Sequence, residues 1–107
     1  HGHGRLKAVG PRDAAARVRV VIQQAPIDER ELHAALQAVE IELGAGQELF
    51  ELLNEVGQAF HDQMRYAEAE RYYRRALALA ETVFGPSSSS VSLGLNNLAD
   101  MLRETAR

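Results

Sequence analysis

Histidines, paired acids and a run of serines are the residues of this 107-residue chain whose types could do chemistry. His1 and His3 could chelate a divalent metal together with a free terminal amine, but they alternate with Gly2 and Gly4, the composition of a flexible tail. His33 follows Glu29 by four residues, the spacing of a local pair on one helix face, and His61 stands beside Asp62. Carboxylate-bridged metal sites in helix bundles need Glu-x-x-His on inward faces. The residues three before His33 and His61 are Arg30 and Gln58, so no metal site is expected. Ser87 to Ser90 lack the strand, glycine-rich loop and helix of a phosphate cradle and are assigned to helix capping. Glu51 and Glu55 lie one helical turn apart, as solvated faces routinely have them. Without cysteine there is no thiol nucleophile, thiolate metal site or disulfide. No catalytic residue and no cofactor are expected, and the chain is not read as an enzyme.

The elements that would position these residues follow from the hydrophobic period. Leu32, Leu36, Val39 and Leu43 recur at three- and four-residue spacing, as do Leu49, Leu52, Leu53, Val56 and Phe60, which is the helical pattern. The β-branched run from Arg17 to Ile22 alternates briefly, but it is short and follows Asp13-Ala14-Ala15-Ala16, which favours helix. Breaks fall at Gly10-Pro11, Ala25-Pro26, Gly44-Ala45-Gly46, Met64-Arg65 and Gly85-Pro86. The pattern predicts five helices over about residues 12–24, 28–43, 47–62, 66–84 and 89–105, behind a flexible tail over 1–11. Asp28 and Ser88 to Ser90 are the expected N-caps, Gly44 and Gly85 the C-caps.

The charge is uneven. Residues 1–27 carry +4, residues 28–70 carry −9 and residues 71–107 carry +2, for a net −3. With a pI of about 5.8 and an acidic middle, the chain lacks the basic face of a nucleic-acid binder. Apolar runs are far shorter than the ~20 residues that span a bilayer. No membrane association and a cytoplasmic location are expected, and the start at His1 rather than Met suggests either a processed chain or a piece cut from something longer.

The helices repeat in pairs. Asn54 to Phe60 aligns on Asn96 to Leu102 and places Gly57 on Ala99, a spacing of 42 residues, while Ala34 to Gly44 aligns on Arg75 to Gly85 at a spacing of 41. Leu53, Val56, Gly57, Phe60, Tyr66, Ala69, Tyr73 and Ala76 stand where large and small packing residues alternate in the tetratricopeptide repeat, which this segment resembles. Phe84-Gly85-Pro86 and Leu95 to Ala99 are similar to the longer variant of kinesin light chains and bacterial regulators. The resemblance covers Leu49 to Leu102 well and residues 1–48 in outline, and four serines replace the acidic, proline-containing turn of that variant.

The resemblance implies an all-α, right-handed α-α superhelix of antiparallel helix pairs over 12–107. Residues 12–44 would form a degenerate repeat, 47–85 a clear one and 88–107 the first helix of another. Gly57, Ala69 and Ala76 would mark the closest backbone approach, with Tyr66, Tyr73 and Phe60 filling the spaces between units. It further implies a groove presenting Asn54, Gln58 and His61 from one repeat and Asn96, Asp100 and Arg103 from the next, with Glu55 and Asn97 flanking. Such a groove would hold a peptide or protein partner, of basic character given the −9 segment. Lys7 is the only lysine, so a two-lysine clamp for a C-terminal carboxylate is absent. The alternative is a self-association or regulatory linker segment of a larger bacterial signalling protein. Val91, Leu95, Leu98, Met101 and Leu102 form an apolar stripe on the last helix, and Leu95, Leu98, Met101 and Leu102 are its expected dimer contacts.

Overall fold

The computed structural model describes residues 11–106, so His1, His3 and nearly all of the expected tail lie outside the described residues. Five helices are present: α1 Pro11–Val21, α2 Glu29–Leu43, α3 Gln47–Asp62, α4 Tyr66–Phe84 and α5 Ser89–Thr105. Among the described residues there is no strand, so the arrangement is an all-α helical repeat. None of these helices is long and apolar enough to cross a membrane. The chain divides into two compact units, His1–Gly44 and Ala45–Arg107, at the glycine-rich break after α2.

In the first unit α1 packs against α2. Ala14, Ala15, Val18 and Val21 are buried on α1, and Leu32, Ala35, Leu36 and Val39 on α2, each set at helical spacing. The β-branched run is thus helical, but α1 ends at Val21, three residues sooner than its pattern suggested. Pro26 has no N–H to continue the ladder and disfavours helix at Ala25. The chain leaves instead through tight turns, with Gln23 N donating to Val20 O and Gln24 N to Val21 O, and Ile27 is buried beyond them. Asp28 caps α2 by accepting from Arg30 N at 2.9 Å and Glu31 N at 3.2 Å.

The second unit sets α4 between its neighbours, with α3 and α5 both packed on it and touching each other along one edge. Leu49, Phe50, Leu52, Leu53, Val56, Gly57 and Phe60 are buried on α3, against Ala69, Tyr72, Tyr73, Ala76 and Ala80 on α4. A Cβ on Gly57 would stand 2.8 Å from the Tyr73 ring, closer than real contacts allow, so only glycine fits there. Of the alanines on α4, those at 69, 76 and 80 are buried at the contact, whereas Ala67 and Ala78 are exposed. Phe60 stacks on Tyr72 with centroids 5.6 Å apart, and Phe50 meets Phe84 edge-on at 6.1 Å. Tyr72 therefore does the filling expected of Tyr66, which is exposed beside His61. Each such apolar side chain contributes about 1.5–3 kcal/mol on burial.

The α3–α4 turn closes with Met64 in the left-handed region (φ 61°), where Met64 N donates to His61 O and Arg65 N to Phe60 O, both at 2.9 Å. The Arg65 guanidinium lies 4.7 Å over the Phe60 ring and covers its end. Ser88 caps α5 by accepting from Val91 N at 3.2 Å. α5 then crosses α4 where Gly94 meets Leu77, a Cβ there standing 3.3 Å from Leu77 Cδ1.

The apolar stripe of α5 is divided by this packing. Val91, Leu98 and Met101 are buried within the unit, whereas Leu95 is exposed and Leu102 half-buried. Leu98 and Met101, two of the four expected dimer contacts, are thus buried in the unit's own core.

Candidate functional site

Because α3 and α5 lie side by side on α4, the outward edges of both helices border a polar cleft. It holds about 200 Å³ and is lined by Gln58 and His61 from α3, Tyr73 from α4, and Asn97, Asp100, Met101 and Glu104 from α5. Tyr73 and Met101 are buried and form its floor.

Three direct contacts tie the walls together. Asn97 Nδ2 donates to Asn54 Oδ1 at 3.3 Å, His61 Nε2 lies 2.8 Å from Glu104 Oε1, and Tyr73 OH donates to Gln58 Oε1 at 3.3 Å. Gln58 Nε2 in turn donates to Asp62 Oδ1 at 2.9 Å, and Asp100 accepts from Arg103. Asn54 Nδ2 is buried without a hydrogen-bond partner. An orphaned buried donor of this kind is costly and marks a polar site open to a further acceptor.

The field in the cleft is negative. Burial, followed by the charges of Asp62, Asp100 and Glu104, pushes the Tyr73 phenol up to about 12. The charges of these three carboxylates, on α3 and α5, add to the effect of burial. At the base of α4 the Glu68 carboxyl is held below its usual range, chiefly by its backbone hydrogen bond and also by Arg65 at 3.3 Å, against the opposing effect of burial.

Of the six expected groove residues, Gln58, His61 and Asp100 line the cleft and Asn54 is bonded to its wall. Asn96 and Arg103 are exposed and do not line it; Asn97 and Glu104 occupy those places. Both cross-helix partnerships span 43 residues, one more than the repeat alignment. The physical reason is that α3 and α5 meet edge to edge, so the flank of α5 facing α3 carries the residue after each motif equivalent, some 100° further round the helix. Glu55, the other flanking residue expected, does not line the cleft. Tyr73 was anticipated only as packing; its ring is buried, and its hydroxyl lines the cleft and donates to Gln58.

Among the described residues no group of three or more His, Cys, Asp or Glu side chains is placed to hold a metal ion. His33 is exposed on α2. The cleft thus brings amide, imidazole, phenol and carboxylate groups of three helices together.

A family model described as tetratricopeptide repeat matches residues 48–107, more than half the chain. Comparison with curated proteins and with solved structures gives no match.

Proposed function

Since the chain belongs to the tetratricopeptide-repeat family, a family of protein-interaction scaffolds, we propose that it binds an extended peptide segment of a partner protein across α3 and α5. The carrying observation is the polar cleft those helices share, with the Asn54–Asn97 amide pair at its wall. An asparagine amide both donates and accepts, which matches the alternating C=O and N–H of a peptide backbone. The orphaned Asn54 Nδ2 supplies a donor for a carbonyl once the pair rearranges around a ligand. The carboxylates at 62, 100 and 104 favour a partner of basic character, through association rate and specificity more than raw affinity.

Selection of displayed random peptides against the chain tests this. Enriched peptides should lose binding to an Asn54→Ala/Gln58→Ala/Asn97→Ala variant whose circular dichroism is unchanged, and keep it with Asn96→Ala. Retained binding by the folded triple variant would move the site elsewhere.

Self-association is favoured by one separate observation: Leu93 and Leu95 are each about half exposed on α5 (49% and 51%), with Leu102 half-buried. Light scattering at micromolar concentration on the unmodified chain and on Leu95→Glu/Leu102→Glu measures it. A dimer dissociated by the double variant supports this second role, and a monomer in both rules it out.

A further inference from the structure

Met64, in the α3–α4 turn, stands where glycine would suit the backbone better. Among the described residues it is the one non-glycine with a positive φ, 61°, a conformation that glycine adopts freely and a long side chain disfavours. The turn requires that geometry, which lets Met64 N donate to His61 O and Arg65 N to Phe60 O and so closes α3. The side chain brings the fold little in return, since it is 74% exposed. Strain held where the fold gains nothing from it is characteristic of binding sites, and a large apolar side chain kept in water beside another points the same way. Two residues on, Tyr66 is 37% exposed, with its ring against His61 at a centroid distance of 5.5 Å. His61 lines the α3–α5 cleft, so both residues adjoin that cleft through it, Met64 by its backbone bond and Tyr66 by its ring. The charged groups nearby are engaged elsewhere: the Arg65 guanidinium lies over Phe60 and pairs with Glu68, and Asp62 accepts from Gln58.

We propose that Met64 and Tyr66 form a subsite for an aromatic side chain, Phe, Tyr or Trp, of the peptide held in the α3–α5 cleft. A thioether sulfur contacts aromatic rings favourably, and a second ring pairs with Tyr66 in an offset or edge-to-face arrangement, so one incoming ring satisfies both residues. The unbranched methionine side chain turns about several bonds and adapts to rings of different size. The proposal rests on the peptide-groove reading and adds a selectivity that the cleft itself lacks. The amides and carboxylates of the cleft recognise backbone and charge, whereas the turn selects one class of side chain next to them.

The two methionines of the chain supply the test, read by NMR of their labelled methyl groups. Met64 reports on the turn, and Met101, buried in the floor of the cleft, is the internal control. Titration with N-acetyl-tryptophanamide should move the Met64 methyl to saturation and leave Met101 in place, and N-acetyl-alaninamide should move neither. Tyr66→Ala, at an exposed position, should weaken the tryptophanamide about fivefold, a loss of ~1 kcal/mol. Met64→Gly relieves the turn and should raise the melting temperature by about 4–8 °C while weakening aromatic peptides from the displayed-peptide selection severalfold. A Met64 shift that never saturates, an unchanged affinity in Tyr66→Ala, or a Met64→Gly chain less stable than the unmodified one would overturn the proposal. Selected peptides that depend on Asn54 and Asn97 but bind Met64→Gly undiminished overturn the aromatic subsite and leave the groove reading standing. A selection that enriches no peptide overturns both.

Discussion

α3 and α5 carry the same motif and meet different fates. Leu53, Val56, Gly57 and Phe60 of α3 align on Leu95, Leu98, Ala99 and Leu102 of α5. The first set is buried throughout, with Leu53 only 1% exposed. In the second, Leu98 is buried, Leu102 half-buried, and Leu95 and Ala99 exposed. α4 accounts for the difference: it covers the motif face of α3 with Ala69, Tyr72, Tyr73 and Ala76, but it meets α5 from the other side, through Leu77 against Gly94. An identical spacing of apolar residues therefore specifies a face that can be covered. Which part of it is covered depends on the helix that arrives.

Substitutions at equivalent positions should break this comparison, most strongly where the coverage differs most. Phe60→Ala removes a ring stacked on Tyr72 and should destabilise by about 3–5 kcal/mol, against about 1 kcal/mol for Leu102→Ala. Chemical denaturation of both variants reads this difference, and equal losses would show that α5 is covered as α3 is. Gly57→Leu drives a side chain into the Tyr73 ring and should lose about 1–3 kcal/mol, whereas Ala99→Leu should stay within about 0.5 kcal/mol. Thermal melts distinguish them.

Tyr73, which lies beneath both helices, sharpens the comparison through pH. Its phenol ionises at about 12 in the folded chain against an ordinary value of 10. Between these values the unfolded chain has lost a proton that the folded one retains, so this contribution is fully present below about pH 10 and is lost as pH rises toward 12. Tyr73→Phe should flatten that alkaline decline, and its loss of the bond to Gln58 should be about 1 kcal/mol near neutrality. Denaturation at stepped alkaline pH checks both effects. The smallest expected change is Leu95→Glu, within about 0.5 kcal/mol in a monomer, against a large loss for Leu53→Glu, which buries an unpaired charge.

Much of the local structure was legible in the residues themselves. Helical period, the caps at Asp28 and Ser88 and the glycines at 44 and 85 depend on neighbours a few positions away, and each is found where the residue types put it. The small residues at 57, 69 and 76 are likewise buried between helices, and at 57 even a Cβ would clash with the Tyr73 ring.

What the chain could not specify locally is the angle at which distant helices meet. A rotation of one residue about α5 decides whether Asn97 and Glu104 or Asn96 and Arg103 line the cleft, and in the setting found Leu98 and Met101 lie in the core. The same pattern on α5 is compatible with either setting, since neighbouring residues differ by only 100° of helix rotation. The choice is made by Leu77 against Gly94 and by Tyr72 on Phe60, contacts between residues at least twelve positions apart that exist only once α3, α4 and α5 have packed together.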